Sequence, residues 1–210
     1  MLQPAFTLFV ALTLACRPAG TDKPAGTGDS APGIDESTAS DTANTTDTAP
    51  PDTALDTGPL PAGVFELVDP ESWTPLDASA DPFAAHRPAA IDCAPESMDV
   101  DLGLFEVDTG LCDYLSVGQP SLAAVRAGEV IEVLMYHGSL TWWEEATAHV
   151  AVSIDGVVLW EETIGIPAAS EVYIAEVPSP VAVSPGTPIV FHLHNHGSNT
   201  WNIGHIKVRR

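Results

Sequence analysis

From Val64 onward, apolar residues fall into short runs in which every second position is apolar, and Gly, Pro, Asn and Asp separate the runs. The alternation is clearest at Val150, Val152 and Ile154, and again at Ile189, Phe191 and Leu193. A period of two puts alternate side chains on one face, the pattern of a half-buried β-strand. It predicts strands over Val64–Val68, Leu104–Val107, Glu129–His137, His149–Ile154, Val157–Glu161, Val172–Val177, Pro188–His194 and Trp201–Val208. Asp155-Gly156, between two of these runs, is a two-residue hairpin signal. No run sustains a helical period; Pro120–Arg126 has room for a turn or two of helix. Short strands joined by Gly/Pro turns predict an all-β fold, an antiparallel β-sandwich. The proline-rich, aperiodic stretch from Asp69 to Asp101 is expected to wrap that sandwich as an ordered loop stapled by Cys93.

The N-terminal third has a different texture. Ala5–Ala15 reads AFTLFVALTLA, an apolar run of eleven. A membrane-spanning helix needs about 20 such residues, whereas the core of a secretory signal needs roughly 7–15. Residues 1–15 therefore read as a signal peptide. Residues 16–62 are built from Thr, Asp, Ala, Gly, Pro and Ser, with no aromatic residue between Arg17 and Pro61. Fragments such as SDTANTTDTAPPDTALDTGP offer too little apolar surface to offset chain entropy, so this segment is expected to be a disordered tether, extended by its prolines and like charges. Residues 63–210 remain as one β-sandwich domain, large enough for a single core.

The formal net charge is −22, and residues 62–210 alone hold 21 acidic and 5 basic side chains. Such a surface repels phosphate backbones and excludes nucleic acid as a partner. Lys207, Arg209 and Arg210, three of those basic residues, read as a solvated tail. Of the three cysteines, Cys16 closes the apolar segment, while Cys93 and Cys112 lie in the domain. Export predicts a disulfide between the latter two, worth about 3 kcal/mol for a loop of roughly 20 residues. No C-x-x-C spacing favours a zinc site on these thiols.

Thr13-Leu14-Ala15-Cys16 resembles the lipobox of bacterial lipoproteins, although Thr13 stands where Leu is usual and MLQP lacks a basic residue. The resemblance implies lipidation of Cys16, which becomes the mature N-terminus and makes the membrane a partner through its lipid. Arg17, in place of the Asp that favours inner-membrane retention, implies an outer-membrane or cell-surface location, with the periplasm as the remaining compartment. The tether resembles the stalks of surface lipoproteins. Further on, Ala127-Gly128-Glu129 enters a strand, Ile154-Asp155-Gly156-Val157 makes a hairpin, and an aromatic-led strand Trp201–Val208 closes the chain. This ordering resembles jelly-roll domains of the galactose-binding-like type, which include many carbohydrate-binding modules. It implies a jelly-roll-like sandwich and carries over no ligand residue.

Two segments concentrate candidate chemistry. In His192-Leu193-His194-Asn195-His196 the histidines share the strand face opposite Phe191 and Leu193. Neutral imidazoles so placed suit a transition metal, and His192, His194 and His196 are the candidate ligands; His137 or His149 could supply the third. The cupin family uses a similar H-x-H, but its downstream Glu-and-Gly pattern is missing here. Structural or solvated histidines are the competing reading. In Gly138–Glu145, two adjacent tryptophans flanked by carboxylates are costly to expose unless they pack or bind. Flat indoles beside hydrogen-bonding groups suit a sugar ring, so Trp142, Trp143, Glu144, His194, His196 and Asn199 form the candidate glycan site. Trp160 and Trp201 are expected to pack. Asp99, Asp101, Glu106, Asp108 and Asp113 offer oxygen ligands for calcium, without EF-hand spacing, and read more simply as a solvated acidic face. No G-x-S-x-G, G-x-x-x-x-G-K or H-E-x-x-H occurs. The leading expectation is a lipid-anchored, non-catalytic glycan-binding module. A metal-binding protein or metal-dependent enzyme, and a purely structural envelope protein, are the alternatives.

Overall fold

The computed structural model describes residues 59–210. The expected signal peptide, Cys16 and all but the last residues of the expected tether lie outside the described residues. Among the described residues, eleven strands form two antiparallel sheets. In the first, β3 (Met98–Asp101), β4 (Leu104–Asp108), β11 (Thr200–Arg209), β6 (Val130–His137) and β9 (Glu171–Pro178) lie side by side, and β1 (Val64–Glu66) pairs with the far end of β11. In the second the order is β2 (Thr74–Pro75), β5 (Tyr114–Pro120), β10 (Pro188–Asn195), β7 (Ala146–Ile154) and β8 (Val157–Ile166). The expected fold, an all-β antiparallel sandwich, is what the chain adopts, and each expected strand is present. Asp155 (φ 52°) and Gly156 (φ 73°) turn β7 into β8 with both central residues left-handed, as a type I′ hairpin requires.

Periodicity missed β2, β3 and β5, and β5 is instructive. Leu115 and Val117 face the core, but Tyr114, Ser116 and Gly118 on the other face are covered too, so no polar alternation marks the strand. Between the sheets, Val117, Val133, Met135, Val150, Val152, Phe191, Leu193, Trp201 and Ile206 interdigitate, all essentially inaccessible to water. Full burial of one such side chain stabilises by about 1.5–3 kcal/mol. Instead of a helix, the Pro120–Arg126 stretch joins Val183 through an isolated bridge at Val125; among the described residues helical structure is limited to three 3₁₀ turns.

The Asp69–Asp101 loop does wrap the sandwich, across the outer face of the second sheet. Leu76 N–H donates to Ser116 O at 2.9 Å, and Leu76 and Phe83 pack on Val190 and Ala151. Gly118 permits this approach, since a Cβ there would meet Leu76 Cδ2 at 3.1 Å. Asp81 pins the loop: its carboxylate accepts from Tyr114 Oη at 2.5 Å, from Phe83 N–H at 2.9 Å and from Arg87 at 3.3 Å. Burial pushes the Asp81 carboxyl upward, but the bonds from Tyr114 and Phe83 prevail and hold it below its ordinary value. The Cys93–Cys112 disulfide is formed, with Cα atoms 3.8 Å apart.

The C-terminal basic cluster is not a solvated tail. Lys207 and Arg209 belong to β11 and meet Glu132 of β6 at 2.8 and 3.1 Å, while Arg210 meets Glu129 at 3.2 Å. The strand period places Lys207 opposite Glu132 in register, information that charge alone did not carry.

Candidate functional site

The Trp142–Glu145 turn lies between two isolated bridges on its N-terminal side, Leu140 to Ala168 and Thr141 to Ser198, and the start of β7 at Ala146. The second brings the turn beside the end of β10, with Ser198 N–H donating to Thr141 O at 3.0 Å. Trp142 is 45% and Trp143 76% exposed, their ring centroids 6.1 Å apart. Trp142 stands between two grooves. One, about 370 Å³, runs from Trp142 past Asn195, His196 and Ser198 to Asp92, Asp113 and Thr109. The other, shallower and about 520 Å³, is lined by Trp142, Glu144, Glu145, Thr147 and His196. The disulfide sits at the rim of the first groove, where Asp113 N–H donates to Asp92 O and Asp92 N–H to the Asp113 carboxylate, at 2.9 and 3.0 Å. That staple holds Asp92 and Asp113 in the wall of the groove that Trp142 also lines. An exposed aromatic plate between grooves lined with hydrogen-bonding groups can stack on the apolar face of a sugar while its hydroxyls are bonded.

Histidines occupy the outer face of the second sheet. In register, His194 of β10 opposes His149 of β7 on one side and Tyr114 of β5 on the other; His192 opposes Ala151 and Ser116. Phe83 from the wrapping loop stacks on His192 with centroids 4.7 Å apart, and His86 stacks on His149 at 4.3 Å. His192 is completely buried, which pulls its imidazole down to about 3, helped by the neighbouring His149 and opposed by Asp81. Burial, then His196, also lowers His194. Both imidazoles are therefore neutral at neutral pH.

No protein-family model matches the chain, and no curated protein does. Among solved structures it is similar to a CBM4 module (12% identity, TM-score 0.38, covering 67% of this chain and 88% of that one). It is also similar to the C-terminal CBM6 of a marine laminarinase from Zobellia galactanivorans (13%, 0.38, covering 70% and 100%). The N-terminal cellulose-binding domain of β-1,4-glucanase C from Cellulomonas fimi gives 12%, 0.35, 56% and 90%. The likeness is to the sandwich of these modules and extends to the fold alone.

The structure divides the residues singled out from sequence. Trp142, Glu144 and His196 share a groove, with Trp143 beside them. His194 lies next to His196, ring centroids 4.6 Å apart. Asn199 faces elsewhere, lining a cavity of about 500 Å³ with Tyr136 and Glu171, and its amide binds Ser139 O. His192 is grouped not with His194 and His196 but with His149 and with His86, which sequence reasoning missed: one ring nitrogen of each lies within 4.8 Å of the others. His137 is a satisfied core residue, its ring nitrogens 2.6 Å from Gly138 O and 3.3 Å from Tyr173 Oη. The acidic set does not gather as calcium ligands; among the described residues no three of its carboxylates converge. Asp99 and Glu106 oppose each other across β3 and β4, and Asp113 is engaged with Asp92 at the groove. Burial, then Asp101 and Asp99, raises Glu106 above its ordinary value. Trp201 is core, and Trp160 packs partly buried near Tyr173. His86 sits in the aperiodic loop, where no sequence period points to a face, so nothing local could have found it.

Proposed function

We propose that the domain is a non-catalytic glycan-binding module that engages a neutral polysaccharide across Trp142 and Trp143. The observation that carries this reading is the pair of exposed indoles, one of them wedged between two polar grooves. Leaving two tryptophans in water is unfavourable unless a partner covers them. The groove walls carry Asp92, Asp113, Glu144 and Glu145, and the chain has a net charge of −22. A uronic-acid polymer would be repelled there, which favours neutral sugars. Lipidation at Cys16 and the Thr/Asp/Ala stalk of residues 16–62 would display the module from the outer surface of a membrane, the arrangement that a polymeric ligand too large to diffuse inward requires.

Affinity electrophoresis of the full chain through gels containing neutral polysaccharides, with uronic-acid polymers alongside, tests it. Retardation by at least one neutral polymer is expected, with Trp142→Ala losing about 2 kcal/mol, roughly thirtyfold in affinity, at unchanged fold. No retardation by any polymer, or retardation indifferent to Trp142→Ala, would leave the structural envelope reading in its place.

A further inference from the structure

The outer face of the second sheet carries three imidazoles that the Trp142 grooves do not use. His192 belongs to β10, His149 to β7, and His86 ends the 3₁₀ turn Ala84–His86 laid over them by the wrapping loop. None of the three lines either groove. They are the only set of three or more such ligand groups to converge among the described residues.

The hydrogen bonds around the rings decide which nitrogens are free. His149 Nε2 lies 3.2 Å from Glu161 Oε2, and an Nε2–H donated to that carboxylate leaves Nδ1 as the lone-pair nitrogen of the neutral ring. That Nδ1 is buried and has no partner. His192 Nδ1 lies 3.0 Å from Ser116 Oγ, and its buried Nε2 also has no partner. Leaving such groups unsatisfied is unfavourable, and coordination of a cation removes that penalty. A carboxylate behind one imidazole and a hydroxyl behind another is the support that metal-ligating histidines receive, fixing ring orientation and basicity. Phe83, stacked on His192, supplies an apolar wall.

We propose that His86, His149 and His192 form a three-histidine site for one first-row divalent transition ion, with a fourth position left for water. Imidazole nitrogens suit Zn2+, Cu2+ or Ni2+ and not the oxygen-seeking Ca2+. In a tetrahedral site with metal–nitrogen distances of about 2.1 Å the ligand atoms stand about 3.4 Å apart, so the rings close up on binding. His149 and His192 are held by strands. His86 is exposed on a turn and supplies the movement, tilting out of its stack on His149. The site is independent of the glycan reading, and neither stands or falls with the other.

The full chain, purified without a polyhistidine tag, is titrated with Zn2+, Cu2+ and Ni2+ in competition with a chromophoric chelator. One ion per chain is expected for at least one of them. Affinity should fall more than about a hundredfold in His86→Ala and His149→Ala, and about tenfold in Glu161→Gln. Because His86 is exposed and outside any strand, His86→Ala keeps the fold, which circular dichroism verifies. The visible spectrum of bound Co2+ gives a second readout, a tetrahedral-type band that disappears in His86→Ala. Absence of stoichiometric binding for all three ions overturns the proposal. So does parent-like binding by His86→Ala, or a loss confined to His196→Ala.

Discussion

Removing one hydroxyl should loosen the loop that covers the second sheet. Tyr114 Oη donates to Asp81 Oδ2 at 2.5 Å inside the protein, and the same carboxylate holds Phe83 N–H at 2.9 Å and Arg87 at 3.3 Å. Burial, followed by the bond to Asp81, pushes the Tyr114 phenol up to about 12, so it remains a donor at any working pH. Tyr114→Phe removes one charge-assisted hydrogen bond, worth about 1.5–3 kcal/mol. The larger penalty for an uncompensated buried charge, about 3–5 kcal/mol, does not apply, because Arg87 and the Phe83 amide still face the carboxylate. The expected loss is therefore about 2 kcal/mol. With a urea dependence of about 2 kcal/mol/M, the unfolding midpoint should fall by about 1 M at unchanged slope. A double-mutant cycle with Asp81→Asn isolates the pair and should return a coupling of at least about 1 kcal/mol. The local consequence is distinct from the global one. Amide exchange at Phe83 should accelerate by roughly thirtyfold and stay faster than at Val152 or Phe191 in the core, because the loop opens without the sheet. A variant within 0.5 kcal/mol of the parent (about the noise of such cycles), or unchanged exchange at Phe83, would refute the assignment of Asp81 as the pin of the loop.

Two further outcomes are expected. Replacing both Cys93 and Cys112 by Ala should cost about 3 kcal/mol in denaturant unfolding, from the entropy of a loop spanning 19 residues, and should weaken polysaccharide binding because the Asp92–Asp113 rim loses its staple. Hydrogen bonds from Lys207 and then His205 hold the Glu132 carboxyl down at about 2, so its stabilisation is complete above its ordinary value near 4.5 and is lost as pH falls toward 2; Glu132→Gln should flatten the fall of the thermal midpoint across that window, and an unaltered pH slope would contradict the pairing.

Period-two alternation was enough to place eight of the eleven strands because an inward, apolar position recurs at every second residue, as at Val150, Val152 and Ile154, with the small or polar Ala151 and Ser153 between them. The Asp155-Gly156 turn was legible because its left-handed backbone demands those residue types, and the disulfide because residues 63–210 hold two cysteines to pair. The exposed Trp142–Trp143 pair was legible for a similar reason: large indoles in a polar run stand out locally. What the sequence left open depends on contacts between distant segments. β5 lost its alternation because the wrapping loop buries its outer face, so Ser116 and Gly118 answer to Leu76 and His192 and not to water. Lys207 became an ion-pair donor and not part of a tail only because β11 lies in register with β6. The grouping of His192 with His149 and His86 follows from strand order and from where a proline-rich loop comes to rest. The sequence by itself determined eight of the eleven strands and the chemistry available on each. Tertiary structure decided which of those groups meet, because side-chain period specifies a face, whereas neighbours on that face are chosen by sheet order, register and the path of the covering loop.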